Sequence, residues 1–139
     1  MPDVAALLEA NRAFYAALES RDTSDMEDRW SHRDDVTCTH PGWHRLDGWD
    51  EVERSWENIF TNSRPWAVSC EDIRIALAGD LAWVTCVEVI LPFGADEESE
   101  AARMQATNLF GRVDGEWRLV HHHASPSPTG EGMPEEPVN

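Results

Sequence analysis

Five of the six histidines in this chain fall in two groups: His40 and His44 around Pro41-Gly42, and His121, His122 and His123 in "RLVHHHASP". The second run is short and internal and follows Trp117, Leu119 and Val120, so it reads as folded strand rather than as a tag. Imidazole titrates near neutrality and can give or take a proton. Strand alternation from Trp117 and Leu119, the more apolar phase, continues through His121 and His123. It sends those two toward an interior and His122 to the outer face or a partner. His121 and His123 are therefore the candidate catalytic pair, acting as general acid and base. An H-x-H on a strand would also suit zinc, with His40 or His44 as a third ligand. No HExxH or cysteine set completes such a site, so the expectation is no metal and no cofactor.

Other polar residues fall on positions that face a core. Asn11 shares the apolar face of the first helix, and Asn108 shares the face of Met104, Ala106 and Phe110. Buried amides need partners; they could satisfy each other or hold a ligand carbonyl or hydroxyl. Seven Trp is many for 139 residues, and aromatic walls suit flat ligands. The candidate ligand-binding set is His40, Trp43, Trp56, Phe60, Trp83, Asn108, His121 and His123. Glu88 lies on the face of Val84, Cys86 and Ile90. A buried carboxylate there would have a raised pKa and could be a base, although pairing with Arg74 or Arg103 is the expected arrangement.

The elements that must position these residues follow from periodicity. Asp3 can cap a helix to about Ser20, with Val4, Leu7, Leu8, Phe14, Tyr15 and Leu18 on one face. A short helix over Ser24–Trp30 follows. "DDVTCTHPGWHRLDG" reads as strand, turn and short return strand, and Asp47-Gly48 opens a helix from Trp49 to Asn62. The period then changes to strands: Trp66–Ala78, Leu81–Leu91, Ala101–Val113 and Glu116–Ser125. Turn signals at Gly79-Asp80 and Asp114-Gly115 and the polar loop "GADEESE" separate them. Helices before a meander indicate α+β, with the helices on one face of a curved antiparallel sheet. "LAWVTCVEVIL" is apolar on both faces, so a second subunit is expected on the outer face of the sheet, as a homodimer.

Composition limits the partners. Asp and Glu number 27, the 11 basic residues are all Arg, and the formal charge is -16. Such a surface repels phosphate backbones and anionic lipid, so neither nucleic acid nor membrane is an expected partner. The absence of Lys excludes a P-loop or Schiff-base lysine. No secretory leader or apolar run of about 18 residues is visible. Cys38, Cys70 and Cys86 look like reduced, buried residues, and the expected location is cytoplasmic. One domain over residues 1–125 is expected, with a Pro-, Glu- and Gly-rich disordered tail over 126–139.

"THPGW" at Thr39–Trp43, "GWDEVERSWENIF" at Gly48–Phe60, "ATNLFGRVDGEWRLVHHHAS" at Ala106–Ser125 and the first helix together resemble SnoaL-like proteins of the nuclear transport factor 2-like (NTF2-like) superfamily. The resemblance implies a cone-shaped barrel with a pocket at its open end and a homodimer formed through the sheet. It does not imply one function. Isomerase-type members resemble one another in an Asp base with a Tyr/Asp oxyanion pair, and cyclase- and dehydratase-type members set His beside Asp. Here Tyr15 is the only Tyr, and no inward Asp matches. Three readings follow: binding of an apolar small molecule with a polar handle; a cofactor-independent isomerase, cyclase or dehydratase using the pocket His; or a non-catalytic dimerisation or interaction module.

Overall fold

The computed structural model describes residues 2–94 and 101–128. Three helices come first and with the strands between them: α1 (Pro2–Ser20), α2 (Thr23–Glu27) and α3 (Trp49–Asn62). The strands are β1 (Thr37–Thr39), β2 (Leu46–Asp47), β3 (Trp66–Ala78), β4 (Leu81–Pro92), β5 (Ala102–Val113) and β6 (Glu116–Pro126). They form one curved sheet, not closed into a barrel, in the order β2-β1-β6-β5-β4-β3. The four long strands are an antiparallel meander, and the β1–β2 hairpin joins by a parallel pairing of β1 with β6. This is the α+β NTF2-like architecture.

The amphipathic patterns explain the layers. Leu7, Asn11, Phe14, Tyr15 and Leu18 are buried along one side of α1, and Trp49, Val52, Ser55, Trp56 and Phe60 along one side of α3. Both stripes have helical spacing. They pack on the inner face of the sheet, where Ala82, Val84, Cys86, Ala106, Phe110, Trp117, Leu119 and Ala124 are buried. Gly48 opens α3 at φ +86°, and a Cβ there would come within 3.3 Å of the Asp34 carbonyl oxygen. Only glycine fits that corner comfortably.

β6 carries a feature that alternation cannot foresee. Leu109 pairs with His121, but the next residue, Phe110, pairs with Leu119, so Val120 is the extra residue of a bulge. On one side of it Trp117 and Leu119 face inward. On the other side His122 and Ala124 do so, buried to 3% and 2% exposure. One inserted residue reverses the phase of everything after it. Two local features accommodate the bulge. Gly111 leaves room for the Val120 side chain, whose Cγ1 would lie 3.3 Å from a Cβ at that position. The neighbouring edge changes at the same place: Arg29 and Ser31 hydrogen-bond to Leu119, and β1 takes over from His121 onward.

The ladder continues slightly past Ser125. Pro126 pairs with Met104, and the Ser127 N–H donates to the Arg103 carbonyl. Most of the "GADEESE" loop, residues 95–100, and of the expected tail, residues 129–139, lies outside the described residues. Among the described residues, no helix is long and apolar enough to cross a membrane.

Candidate functional site

The two faces of the sheet hold different chemistry. On the inner face, β4 contributes Glu88, β5 Asn108 and β6 His122, while α1 contributes Asn11 and Tyr15 across from them. All five are buried. The Tyr15 hydroxyl donates to Glu88 Oε2 at 2.8 Å. Asn108 Nδ2 donates to Asn11 Oδ1 and to the Tyr15 oxygen, each at 3.0 Å. Asn108 Oδ1 is thus the acceptor that faces His122 Nδ1 at 2.6 Å. That bond places the imidazole proton on Nδ1. It leaves the lone pair of Nε2 directed at Glu88 Oε2, 3.7 Å away.

Among the described residues no cation pairs with Glu88, whose nearest basic neighbour is this neutral imidazole. The expected arginine pairing does not form: Arg74 reaches Asp72 at 3.6 Å and Arg103 reaches Glu71 at 3.1 Å, both on the surface. The physical reason is direction, since Glu88 points inward beneath α1 and the arginines point to solvent. Burial pushes the Glu88 carboxyl up to about 7, with the Tyr15 hydrogen bond opposing the rise. Burial also drives His122 well below its ordinary value, as do the neighbouring histidines. A carboxyl poised near neutrality beside a neutral imidazole can exchange a proton at ordinary pH. Burial and the nearby Glu88 raise the Tyr15 phenol far above its usual range, so it remains a donor.

His40 forms a second part of the interior. Ser55 Oγ donates to the Val52 carbonyl at 2.6 Å and therefore accepts from His40 Nε2 at 2.9 Å. Burial lowers the His40 pKa to about 4, so this imidazole is neutral. Trp56 lies between the two parts, with its ring 4.6 Å from His40 and 6.2 Å from His122. Its indole N–H is buried with no hydrogen-bond partner among the described residues. Phe14 closes the other side of His122 at 5.0 Å, and Phe60 packs on Trp56 at 5.6 Å. A cleft of about 390 Å³ between α1 and β3, lined by Leu8, Asn11, Tyr15, Val68, Cys70 and Ile73, reaches the network from solvent.

Of the residues singled out from sequence, His40, Trp56, Phe60 and Asn108 lie together on the inner side. Trp43 is 39% exposed, edge-on to His40 at 4.9 Å. Three are not on the inner side. His121 and His123 face outward, because the Val120 bulge reverses the phase: His121 Nδ1 bonds Thr37 Oγ1 at 2.7 Å, and His123 is exposed. Trp83 is also on the outer face, 39% exposed, since Ala82 and Val84 take the inward positions of β4. A wider concavity of about 680 Å³ lies on that outer face, lined by Arg74, Gln105, Thr107, His121 and His123. Volume and chemistry therefore part company, because the buried, mutually bonded polar groups are all on the inner side.

His122 was the residue missed outright, and nothing in the local sequence announces the bulge that turns it inward. Tyr15 had a signal, as the last polar-tipped residue on the apolar stripe of α1. Ser55 had a weaker one, at helical spacing between Val52 and Trp56. Among the described residues, no group of three His, Cys, Asp or Glu side chains is arranged to hold a metal ion.

This geometry can be set beside known proteins. A protein of the NTF2-like family from Streptomyces avermitilis, named as a candidate dehydratase, is 34% identical, with 92% of this chain and 98% of that one covered and a TM-score of 0.81. A calcium/calmodulin-dependent protein kinase type II association domain assigned in Thiobacillus denitrificans is 30% identical, covering 86% and 93% of the two chains, with a TM-score of 0.77. An NTF2-like protein from Pseudomonas putida, of unknown function, shares the fold at 22% identity and a TM-score of 0.77, with 90% and 87% covered. The F-box protein SKIP8 of Arabidopsis thaliana is 27% identical over 120 residues, 86% of this chain and 49% of that protein. The chain thus spans about half the length of that curated relative. The model of the SnoaL-like domain matches residues 7–129, and with the fold beneath it the chain belongs to the SnoaL-like family of NTF2-like proteins.

Proposed function

We propose that this protein binds a small, largely apolar molecule bearing a hydroxyl or carbonyl group. The molecule enters by the cleft between α1 and β3 and meets the Tyr15–Glu88–His122 network. The observation that carries this reading is Glu88, a buried carboxyl facing Tyr15 and a neutral imidazole rather than an arginine. The unpartnered Trp56 N–H supports it as a donor for a ligand oxygen. A homodimer through the outer face accompanies the reading, because Leu81 and Trp83 are exposed there. Resemblance to a named association domain supports assembly as well. Three free thiols accord with a cytoplasmic location.

A second reading is catalytic: cofactor-independent proton transfer, as in the elimination of water. Glu88 near neutrality favours it, as does the candidate dehydratase among the similar structures. Glu88 and His122 then take the acid and base roles first given to His121 and His123.

The test is a thermal-shift screen with cyclic ketones and alcohols, followed by calorimetry and product analysis. Tyr15→Phe and Glu88→Gln should each weaken a hit by about 1–3 kcal/mol, the cost of one lost hydrogen bond to a buried group. His121→Phe should not weaken it. A hit whose affinity ignores both inner variants, or a panel that never stabilises the protein, overturns the binding reading. Product formed by the parent chain but not by Glu88→Gln selects the catalytic one.

A further inference from the structure

Two of the three cysteines lie beside the inner network without belonging to its hydrogen-bond core. Cys70 on β3 pairs in register with Glu88, and Cys86 is two residues before Glu88 on the same inward face of β4. A straight ladder would leave the two as diagonal neighbours. β3 is not straight there, since its register shifts between Glu71 and Arg74, and Asp72 takes φ +51°. Both thiols thus face α1 from adjacent strands, on the same side of the sheet. Successive turns of α1 bracket them. Asn11 Nδ2 donates to Cys70 Sγ at 3.7 Å, and the Tyr15 hydroxyl lies 3.3 Å from Cys86 Sγ.

The two sulfurs differ in access. Cys70 is half-buried and lines the 390 Å³ cleft, whereas Cys86 is 4% exposed. Donation from Cys86 and Asn11 stabilises a Cys70 thiolate, and its pKa lies below the usual thiol value. Cys86 is raised, first by its contact with Cys70 and then by burial. Cys70 is thus suited to attack, and Cys86, its diagonal neighbour across the ladder, is the thiol placed to resolve. Cys38 is fully buried, with its pKa raised by burial and by Glu88, and supplies an internal control.

We propose that Cys70 and Cys86 are an oxidation site for a small neutral peroxide, closing to an intrachain disulfide with Cys70 as the attacking sulfur. In the first step the Cys70 thiolate attacks one peroxide oxygen. An S–O bond forms, the O–O bond breaks, and hydroxide leaves, to be neutralised by the proton shed when the thiol ionised. In the second step Cys86 sulfur attacks the resulting sulfenic acid. The S–S bond forms, the S–O bond breaks, and hydroxide departs with the Cys86 proton as water. Two thiols lose two electrons and two hydrogens, and one hydrogen peroxide becomes two waters. The formal charge of -16 selects a neutral oxidant over an anionic one such as oxidised glutathione. Because Cys86 touches Tyr15, the bond alters the hydrogen bonding around the carboxylate site.

The experiment needs neither ligand nor activity, so it stands or falls separately from the proposed function. The full chain is treated with hydrogen peroxide under native conditions, and free thiols are then followed by alkylation and peptide mass spectrometry. Cys70 should be alkylated at least about tenfold faster than Cys38 before oxidation, as thiolate character and access dictate. After peroxide, the parent chain and Cys38→Ser should each contain a peptide linked through Cys70 and Cys86. Cys86→Ala should instead accumulate a Cys70 sulfenic acid that dimedone traps. Cys70 labelled no faster than Cys38, a disulfide formed between chains, or peroxide leaving all three thiols free would each overturn the proposal. The labelling comparison is made within the parent chain, so it holds even if a variant folds poorly.

Discussion

His121, His122 and His123 are one residue type repeated three times, on two faces of the same strand. His122 is 3% exposed, bonded to Asn108, and packed between Phe14 and Trp56. Its neighbours face outward: His121 is tied to Thr37, and His123 is exposed. What differs is not the imidazole but what surrounds it. Inside, burial and the neighbouring histidines keep the ring neutral, with a carboxyl 3.7 Å away as its partner for proton exchange. Outside, the rings border a broad groove on the face proposed for the dimer. Residue type sets which chemistry is available, and the face decides whether the environment tunes it.

The largest effect that separates the faces should come from packing. Phe14 is fully buried, edge-on to Tyr15 at 4.8 Å and to Trp56 at 6.0 Å. Phe14→Ala should cost about 3–5 kcal/mol in denaturant unfolding, the range for a buried aromatic replaced by alanine. Trp83→Ala on the outer face should cost less than about 1 kcal/mol and act instead on association, lowering the mass seen by light scattering toward 15.7 kDa. Equal unfolding losses would mean that the outer face is packed like a core.

The next effect is electrostatic and confined to the inner face. The Glu88 carboxyl rises from 4.5 to about 7 on folding, chiefly by burial. Between those values the folded chain holds the extra proton, so this contribution to stability is complete below pH 4.5 and is lost as pH rises to 7. The full span corresponds to about 3 kcal/mol as an upper bound. His40, lowered from 6.5 to about 4 by burial, has the opposite slope, because a buried neutral imidazole costs stability as pH falls through that window; His122 slopes the same way. Tyr15, Cys38, Cys70, Cys86 and His122 are the titratable groups around Glu88. Urea melts from pH 4.5 to 7.5 should show Glu88→Gln gaining on the parent chain as pH rises. Parallel curves would place the tuned acid elsewhere.

The smallest effect is the most direct comparison of the two faces. His122→Phe removes the acceptor facing Glu88 and leaves Asn108 Oδ1 unpaired, which should cost about 1–3 kcal/mol. His121→Phe and His123→Phe should stay within about 0.5 kcal/mol, as surface changes do. Equal costs at all three positions would remove the distinction between the faces, and a cost only at His121 and His123 would restore uninterrupted alternation.

Much was legible along the chain. The three helices, the four long strands and their turns follow from period, caps and Gly-Asp or Asp-Gly signals, all of which act over a few residues. Asn11 and Asn108 were visible as polar residues on apolar stripes, and they do bond each other. Glu88 was visible as an inward acid on β4, but its partner was not. An arginine is a better ion pair in principle, yet Arg74 and Arg103 project from the other side of the sheet. The proposed oxidation site shows the same division: three cysteines without CxxC spacing say little until β3 pairs with β4 and sets two of them on one face.

The sequence by itself determined the element order, the α+β class, the acidic surface and which residues could do chemistry, because those depend on composition and local periodicity. Only the tertiary structure decided which of them meet. The Val120 bulge depends on Gly111 across the ladder and on a change of neighbour from Ser31 to β1. These contacts lie far apart in sequence, and a single extra residue among them exchanges the inside of a strand for its outside.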